Sequence, residues 1–333
     1  MACNKAALLA VKAAFGEAYD LASWTPNNPC RDWYDVTCDC FTRRVIGLAI
    51  FQDANLTGTI PSALASLSHL QDLTLRHLPL LSGPIPPAIG KLSNLSSLRI
   101  SWTAVSGPMP SFLGALKKLN LLDLSFNSLS GAIPASLGTI PNLLGINLSR
   151  NRLTGAIPPM FLSKSPHQDA GAEPGFSSLA VAGEVGPIPA DFAAVNFTHL
   201  ELSRNNLTGD ASGLFGRGKE LQYIDLSHNA FDFDFSGVVL PEQVYFVDVS
   251  HNAIHGSIPA QVGSAANLHF FNVSYNRLCG PVPTGGNTAR FDLYNFQHNK
   301  CLCGAPLPHA RNIWNYLVGL ASMSTNSTNV SLD

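Results

Sequence analysis

Residues 121–134, LLDLSFNSLSGAIP, set Asp123 between Leu122 and Leu124, two side chains that belong in a core. In an extended strand alternate residues face opposite sides, so Leu122 and Leu124 point one way and Leu121, Asp123 and Ser125 the other. Asp123 is thereby placed on a surface. The pattern L-x-L-S-x-N-x-L-x-G-x-I-P returns with a period near 24, its strand cores falling at 48–50, 73–75, 98–100, 122–124, 146–148, 200–202, 224–226, 247–249 and 271–273. A unit this short cannot bury its own apolar face, so neighbouring units must stack, one strand each, into a parallel sheet.

The expected fold is therefore an α/β repeat solenoid, a curved right-handed leucine-rich-repeat superhelix. Its parallel sheet lines the concave face, and 3₁₀ or short helices line the convex face. Asn127, Asn151, Asn205, Asn229, Asn252 and Asn276 stand at the corner of successive units. An inward amide there satisfies buried backbone groups of adjacent coils, so these residues read as structural rather than catalytic. Early units carry Asp53, Leu78 and Thr103 instead, which predicts a less regular start. From Leu148 to Leu202 the period breaks, which implies one degenerate unit near 163–190 and an exposed loop near 163–176. The chain divides into an N-terminal cysteine cap with an amphipathic helix (1–44), about ten repeats (45–276), a C-terminal cysteine cap (277–310) and an extra tail (311–333) read as a flexible extension.

Composition limits the function. With 46% hydrophobic residues, 13% charged residues and a net charge of −2, the 333-residue chain is globular and offers no basic field for nucleic acid or an anionic membrane. No run approaches the roughly 18 apolar residues of a membrane span, so no membrane insertion is expected. No cofactor or metal is expected either: the seven cysteines (Cys3, Cys30, Cys38, Cys40, Cys279, Cys301, Cys303) gather at the two ends without metal-ligand spacing. They read as staples of terminal caps in an oxidising compartment. The start, MACNKAALLAVKAAF, is broken by Lys12 and carries Leu8, Val11 and Phe15 on one helical face, which suits a capping helix better than a secretory signal. A signal peptide is expected to be absent from this sequence.

These features resemble the plant polygalacturonase-inhibiting proteins over roughly residues 3–308. The resemblance is carried by the LxGxIP repeat, CRDWYDVTCD (30–39), GDASGLFG (209–216) and LCGPVPTGGNTARFD followed by NKCLCGAPLP. It implies a secreted glycoprotein of the cell wall and apoplast, active as a monomer. Its concave face would bind and inhibit endopolygalacturonases of microbes or insects, with pectin as a further partner. The resemblance also implies the pairs Cys30–Cys38 and Cys279–Cys301, leaving Cys3 and Cys40 as the available pair and Cys303 unpartnered. Two departures stand out: Pro29 precedes Cys30 where the family has paired cysteines, and Ala310 replaces the last cysteine.

Sequons occur at Asn55, Asn94, Asn147, Asn196, Asn206, Asn272, Asn326 and Asn329. Asn55, Asn94, Asn196 and Asn206 are the expected glycosylation sites, because Asn147 and Asn272 occupy the strand face. The middle exposed strand position reads Ala49, Thr74, Arg99, Asp123, Asn147, Glu201, Asp225, Asp248 and Asn272, so acid gathers toward the C-terminal half. Asp123, Glu201, Asp225 and Asp248, with Gln222 and Tyr223, are the candidate partner contacts. Neighbouring carboxylates about 4.8 Å apart also invite a glycosidase reading. An open sheet encloses no pocket to raise one of them, so no enzymatic activity is expected. The alternatives are a soluble receptor-ectodomain-like or developmental regulator that binds a plant protein or peptide, and an inhibitor of another wall hydrolase such as a chitinase.

Overall fold

The computed structural model of the chain describes residues 4–16, 18–159, 178–180, 183, 185–286 and 288–308. Cys3, the loop near 163–176, and the tail with Asn326 and Asn329 lie outside the described residues. Among the described residues a 14-stranded sheet runs the length of a solenoid and lines one face of it. From Leu121 onward the sheet is a parallel ladder in unbroken register: Leu122 pairs with Ile146, Leu179 with both Ile146 and Leu200, then Ile224, Val247 and Phe271 follow. The degenerate unit thus contributes a strand at Ser178–Ala180.

Register explains the core. Each strand sends its two apolar residues inward, so Leu122, Leu124, Ile224, Leu226, Val247 and Val249 are fully buried in one continuous cluster. The opposite wall is built from 3₁₀ turns such as Ser62–Ser66, Pro87–Lys91, Ser111–Ala115 and Ala135–Thr139. Pro61, Pro86, Pro110 and Pro134 stand immediately before these turns in extended conformation, where a fixed φ aims the chain across the solenoid. One leucine or isoleucine of each turn, Leu64, Ile89, Leu113 or Leu137, closes the core.

The asparagines work as hydrogen-bond rungs between coils. Asn252 Nδ2 donates to Leu226 O (3.0 Å) in the preceding coil and to Val249 O (3.1 Å) and Ser250 O (3.0 Å) in its own, while its Oδ1 accepts from Phe231 N (3.0 Å). Asn151, Asn229 and Asn276 make the same pattern, and Asn127 makes its donor half while its Oδ1 accepts from the Thr103 hydroxyl. Asn205 bonds Leu202 O and Ser203 O. Asn299 adds a rung inside the C-terminal cap, donating to Val273 O (3.0 Å) and accepting from Leu278 N (3.0 Å). The cap is therefore stacked as one more coil; the signal was visible as the 23-residue step from Asn276 to Asn299.

The N-terminal units differ in a specific way. Where Leu78 and Thr103 replace the corner asparagine, strands Asp72–Gly83 and Ser97–Pro108 run on through the corner, and the pairing shifts between Leu78 and Ser82. Asp53 closes a turn within its own coil, accepting from Asn55 N (2.8 Å) and Leu56 N (3.2 Å), and accepts from Asp20 N (3.3 Å) of the cap. Ser125, expected on the outer side with Asp123, is buried instead: the strand has already ended and the chain is turning inward.

The N-terminal helix spans Lys5–Phe15 and buries Leu8, Val11 and Phe15. Its cysteines correct the expected pairing. Cys30 is disulfide-bonded, but Cys38 and Cys40 are both free thiols, so neither Cys30–Cys38 nor Cys3–Cys40 forms. Cys38 ends the strand Val36–Cys38, where antiparallel pairing fixes it opposite Val45 and commits it to the sheet. At the other end Cys279 and Cys301 are register partners on adjacent strands and are bonded, with Cα atoms 4.3 Å apart; Cys303 is free and exposed.

Candidate functional site

Three rows of side chains cross the concave face, one residue per coil. The middle row is acidic toward the C-terminus: Ala180, Glu201, Asp225, Asp248 and Asn272 are successive register partners. Strand spacing then sets Glu201, Asp225 and Asp248 about 4.8 Å apart in backbone terms. Asp123 belongs to the same row but not to this cluster, because the strands Gly145–Asn147 and Ser178–Ala180 stand between it and Glu201, a distance of about 14 Å.

These acids are half committed to the fold. Asp123 Oδ1 accepts from Ser125 N (3.0 Å) and Ser125 Oγ (2.6 Å); Asp225 accepts from Ser227 N (2.9 Å) and Asp248 from Ser250 N (2.9 Å). Such Asx turns end each strand. Burial pushes the Glu201 carboxyl up, and the Asp225 charge adds to it, against a smaller opposing pull from Arg150. Burial also raises Asp225, opposed by its Ser227 hydrogen bonds and reinforced by Asp248.

The second row opens each strand and is aromatic. His199, Tyr223, Phe246 and Phe270 stack face to face, with centroids 4.1, 4.3 and 4.4 Å apart. Tyr223 is raised well above an ordinary phenol, first by burial and then by Asp225, Glu201 and Asp248. Tyr223 and Asp225 are on one strand, and Gln222 is exposed immediately before it. Of this row the sequence marks Tyr223 as a candidate contact and Phe246 as a flanking exposed position, whereas His199 and Phe270 are legible as rings recurring at the same repeat offset.

The third row follows the core of each strand, with His77 and Trp102 still inside the long strands Asp72–Gly83 and Ser97–Pro108, and is held in left-handed backbone. His77, Trp102, Phe126, Arg150, Arg204, His228, His251, Tyr275 and His298 all have φ between 53° and 59°. A non-glycine residue pays for that conformation, and the turn hydrogen bonds on either side enforce it. His228, His251, Tyr275 and His298 stack at 4.0, 4.1 and 4.2 Å. Burial and the neighbouring His228 push His251 down. A shallow hollow of about 240 Å³ between Arg150 and Arg204, edged by Glu201, interrupts the row at the degenerate coil.

Asn147 and Asn272 are half-buried on this face with their Oδ1 atoms bonded to Ser149 and Ser274, whereas Asn55 and Asn206 are exposed and Asn94 and Asn196 are partly so. Asn94 also donates to Ser68 O and accepts from Lys118 Nζ. Among the described residues no group of three or more histidines, cysteines and carboxylates is placed to hold a metal, and no helix is long and apolar enough to cross a membrane. The arrangement is an open, partly dehydrated strip of acid bordered by rings, suited to gripping a surface.

Known proteins share this architecture. The leucine rich repeat N-terminal domain matches residues 4–39, and the Leucine Rich Repeat matches 118–140 and 142–163. Polygalacturonase inhibitor 1 of Arabidopsis thaliana is 50% identical over 92% of each chain. The polygalacturonase inhibitor of Pyrus communis is 48% identical over 93% of this chain and 92% of its own. Among solved structures, a plant ice-binding protein superposes with a TM-score of 0.86 at 42% identity, covering 92% of this chain and 98% of that one.

Proposed function

Since the chain belongs to the polygalacturonase-inhibitor family, we propose that it binds a secreted, pectin-degrading endopolygalacturonase through its concave face and blocks it. Glu201, Asp225 and Asp248, with Gln222 and Tyr223, are the primary contacts, and Asp123 lies on the same row as an outlying contact. The carrying observation is the in-register acidic row beside the stacked rings of Tyr223, Phe246 and Phe270. An enzyme that holds a polyanionic substrate needs cationic residues around its cleft, and the acid row complements them. Half-buried aromatics at the border supply the apolar part of the contact.

The protein acts outside the cell as a monomer without catalysis of its own, glycosylated at Asn55, Asn94, Asn196 and Asn206, away from the acidic row. The test is reducing-sugar release by a panel of secreted polygalacturonases and chitinases, with and without this protein. Glu201→Lys combined with Asp225→Lys places like charge against the target and abolishes inhibition while circular dichroism stays unchanged. Inhibition equal to the parent's would remove the acidic row from the site. Inhibition confined to chitinases would change the target class.

A further inference from the structure

The N-terminal half of the concave face has the opposite character. Arg76 and Arg99 are exposed on adjacent strands, and the left-handed row there reads His77, Trp102, Phe126 and Arg150. These form one stack: His77 lies 5.1 Å from Trp102, Trp102 lies 3.6 Å from Phe126, and the Arg150 guanidinium sits 5.8 Å from the Phe126 ring centre. Trp102 is 42% exposed, whereas the other tryptophans among the described residues, Trp24 and Trp33, are buried. The acids beside the stack are Asp72, exposed at a strand start, and Asp123, whose Oδ1 is taken by Ser125; Asp20, Asp35 and the buried Asp53 gather at the N-terminal edge of the sheet.

We infer that this stack is a second anchor, which grips a carboxylate-bearing surface of the same hydrolase and so fixes the orientation in which it docks. The inference rests on the inhibitory reading above. Three arguments support it. A large apolar ring held by neighbours on both faces loses little conformational freedom on binding, which is the property of an interface hot spot. Arginines frame it, so the complementary patch carries acid. A face basic at one end and acidic at the other opposes docking of the partner in reverse, where like charges would meet. Because both faces of the Trp102 ring are covered, its edge is what a partner meets. A sugar-stacking platform would present a ring face, so the occupant is a protein surface rather than a pectin chain.

The experiment measures binding of a sensitive endopolygalacturonase by surface plasmon resonance at low and physiological ionic strength. The proteins compared are the parent, Trp102→Ala, Arg99→Glu, and the Glu201→Lys, Asp225→Lys double variant. Trp102→Ala is expected to weaken affinity by about 30-fold or more, mainly through faster dissociation. Arg99→Glu is expected to slow association by about tenfold at low salt and less at physiological salt. Acrylamide quenching of the parent in a Trp314→Phe background gives a readout without altering the stack: Trp102 becomes protected in the complex. Parental affinity in Trp102→Ala and unprotected fluorescence, with binding lost in the double variant, overturn this anchor and leave the inhibitory reading standing. A parent that binds none of the panel overturns both. Trp102→Ala losing retention on polygalacturonate but not on the enzyme would assign the stack to pectin and overturn the proposal.

Discussion

Asp123 shows how one side chain serves fold and surface together. Its Oδ1 closes the turn with Ser125, which leaves the other oxygen for the concave face. The corner asparagines are specialised the other way, and Asn252 bonds only backbone groups. Removing Asn252 leaves Phe231 N unpaired and takes one of two donors from Leu226 O, Val249 O and Ser250 O, so Asn252→Ala is expected to cost about 1–3 kcal/mol. Asn252→Asp should cost as much, because a carboxylate cannot donate to Leu226 O, Val249 O and Ser250 O. Urea titration followed by circular dichroism checks both; an aspartate variant as stable as the parent would contradict the donor role.

The N-terminal cap is the element whose chemistry is least settled by its repeats. Asp35 is pushed up to about 6, first by burial and then by the Asp20 charge, and Asp20 is itself raised by burial and Asp53. An acid whose folded pKa exceeds its unfolded value near 4 penalises the fold when ionised. Stability therefore rises as pH falls through about 6, and the gain is complete below about 4. Solvent access screens the effect, which leaves roughly 1 kcal/mol for Asp35. Asp35→Asn, which suits the left-handed backbone at this position, should melt higher than the parent at pH 7.5 and equally at pH 4. Equal melting at both would remove Asp35 as the cause. The cysteines give a second check on the caps: in the folded protein iodoacetamide should modify Cys40 and Cys303 quickly and Cys38 slowly, since burial raises the Cys38 thiol. A bridged Cys38 in non-reducing peptide mapping would restore the pairing that the structure overturned.

At the scale of the molecule the solenoid turns a weak signal into a surface. Single acids on single strands become the row Glu201, Asp225 and Asp248 only because every strand pairs in register with the next. Glu201 and Asp225 are raised by burial, so as pH falls they take up protons before an exposed carboxylate does. Affinity for a cationic partner is therefore expected to fall between pH 7 and pH 5 and to weaken with added salt. Isothermal titration at the two pH values checks this, and proton uptake at pH 7 in place of release would reverse the sign. The plant ice-binding protein at TM-score 0.86 shows that the architecture alone does not choose a ligand.

The solenoid, the buried leucines, the amide rungs and the acidic middle row followed from the sequence alone. Each is a consequence of strand alternation and a period near 24, and these act within one unit or between units of like sequence. What required the tertiary structure was every relation that depends on the path between units. Asp123 and Glu201 share the middle row, and the register shows that two strands, Gly145–Asn147 and Ser178–Ala180, separate them. Cys30 and Cys38 read as partners, yet in the folded chain Cys30 is disulfide-bonded while Cys38 is a free thiol. The ring stacks have no local sequence signature, because His77, Trp102 and Phe126 stand 24 or 25 residues apart and meet only when coils stack. Periodicity determines which way a side chain faces; only the packed coils determine what it faces.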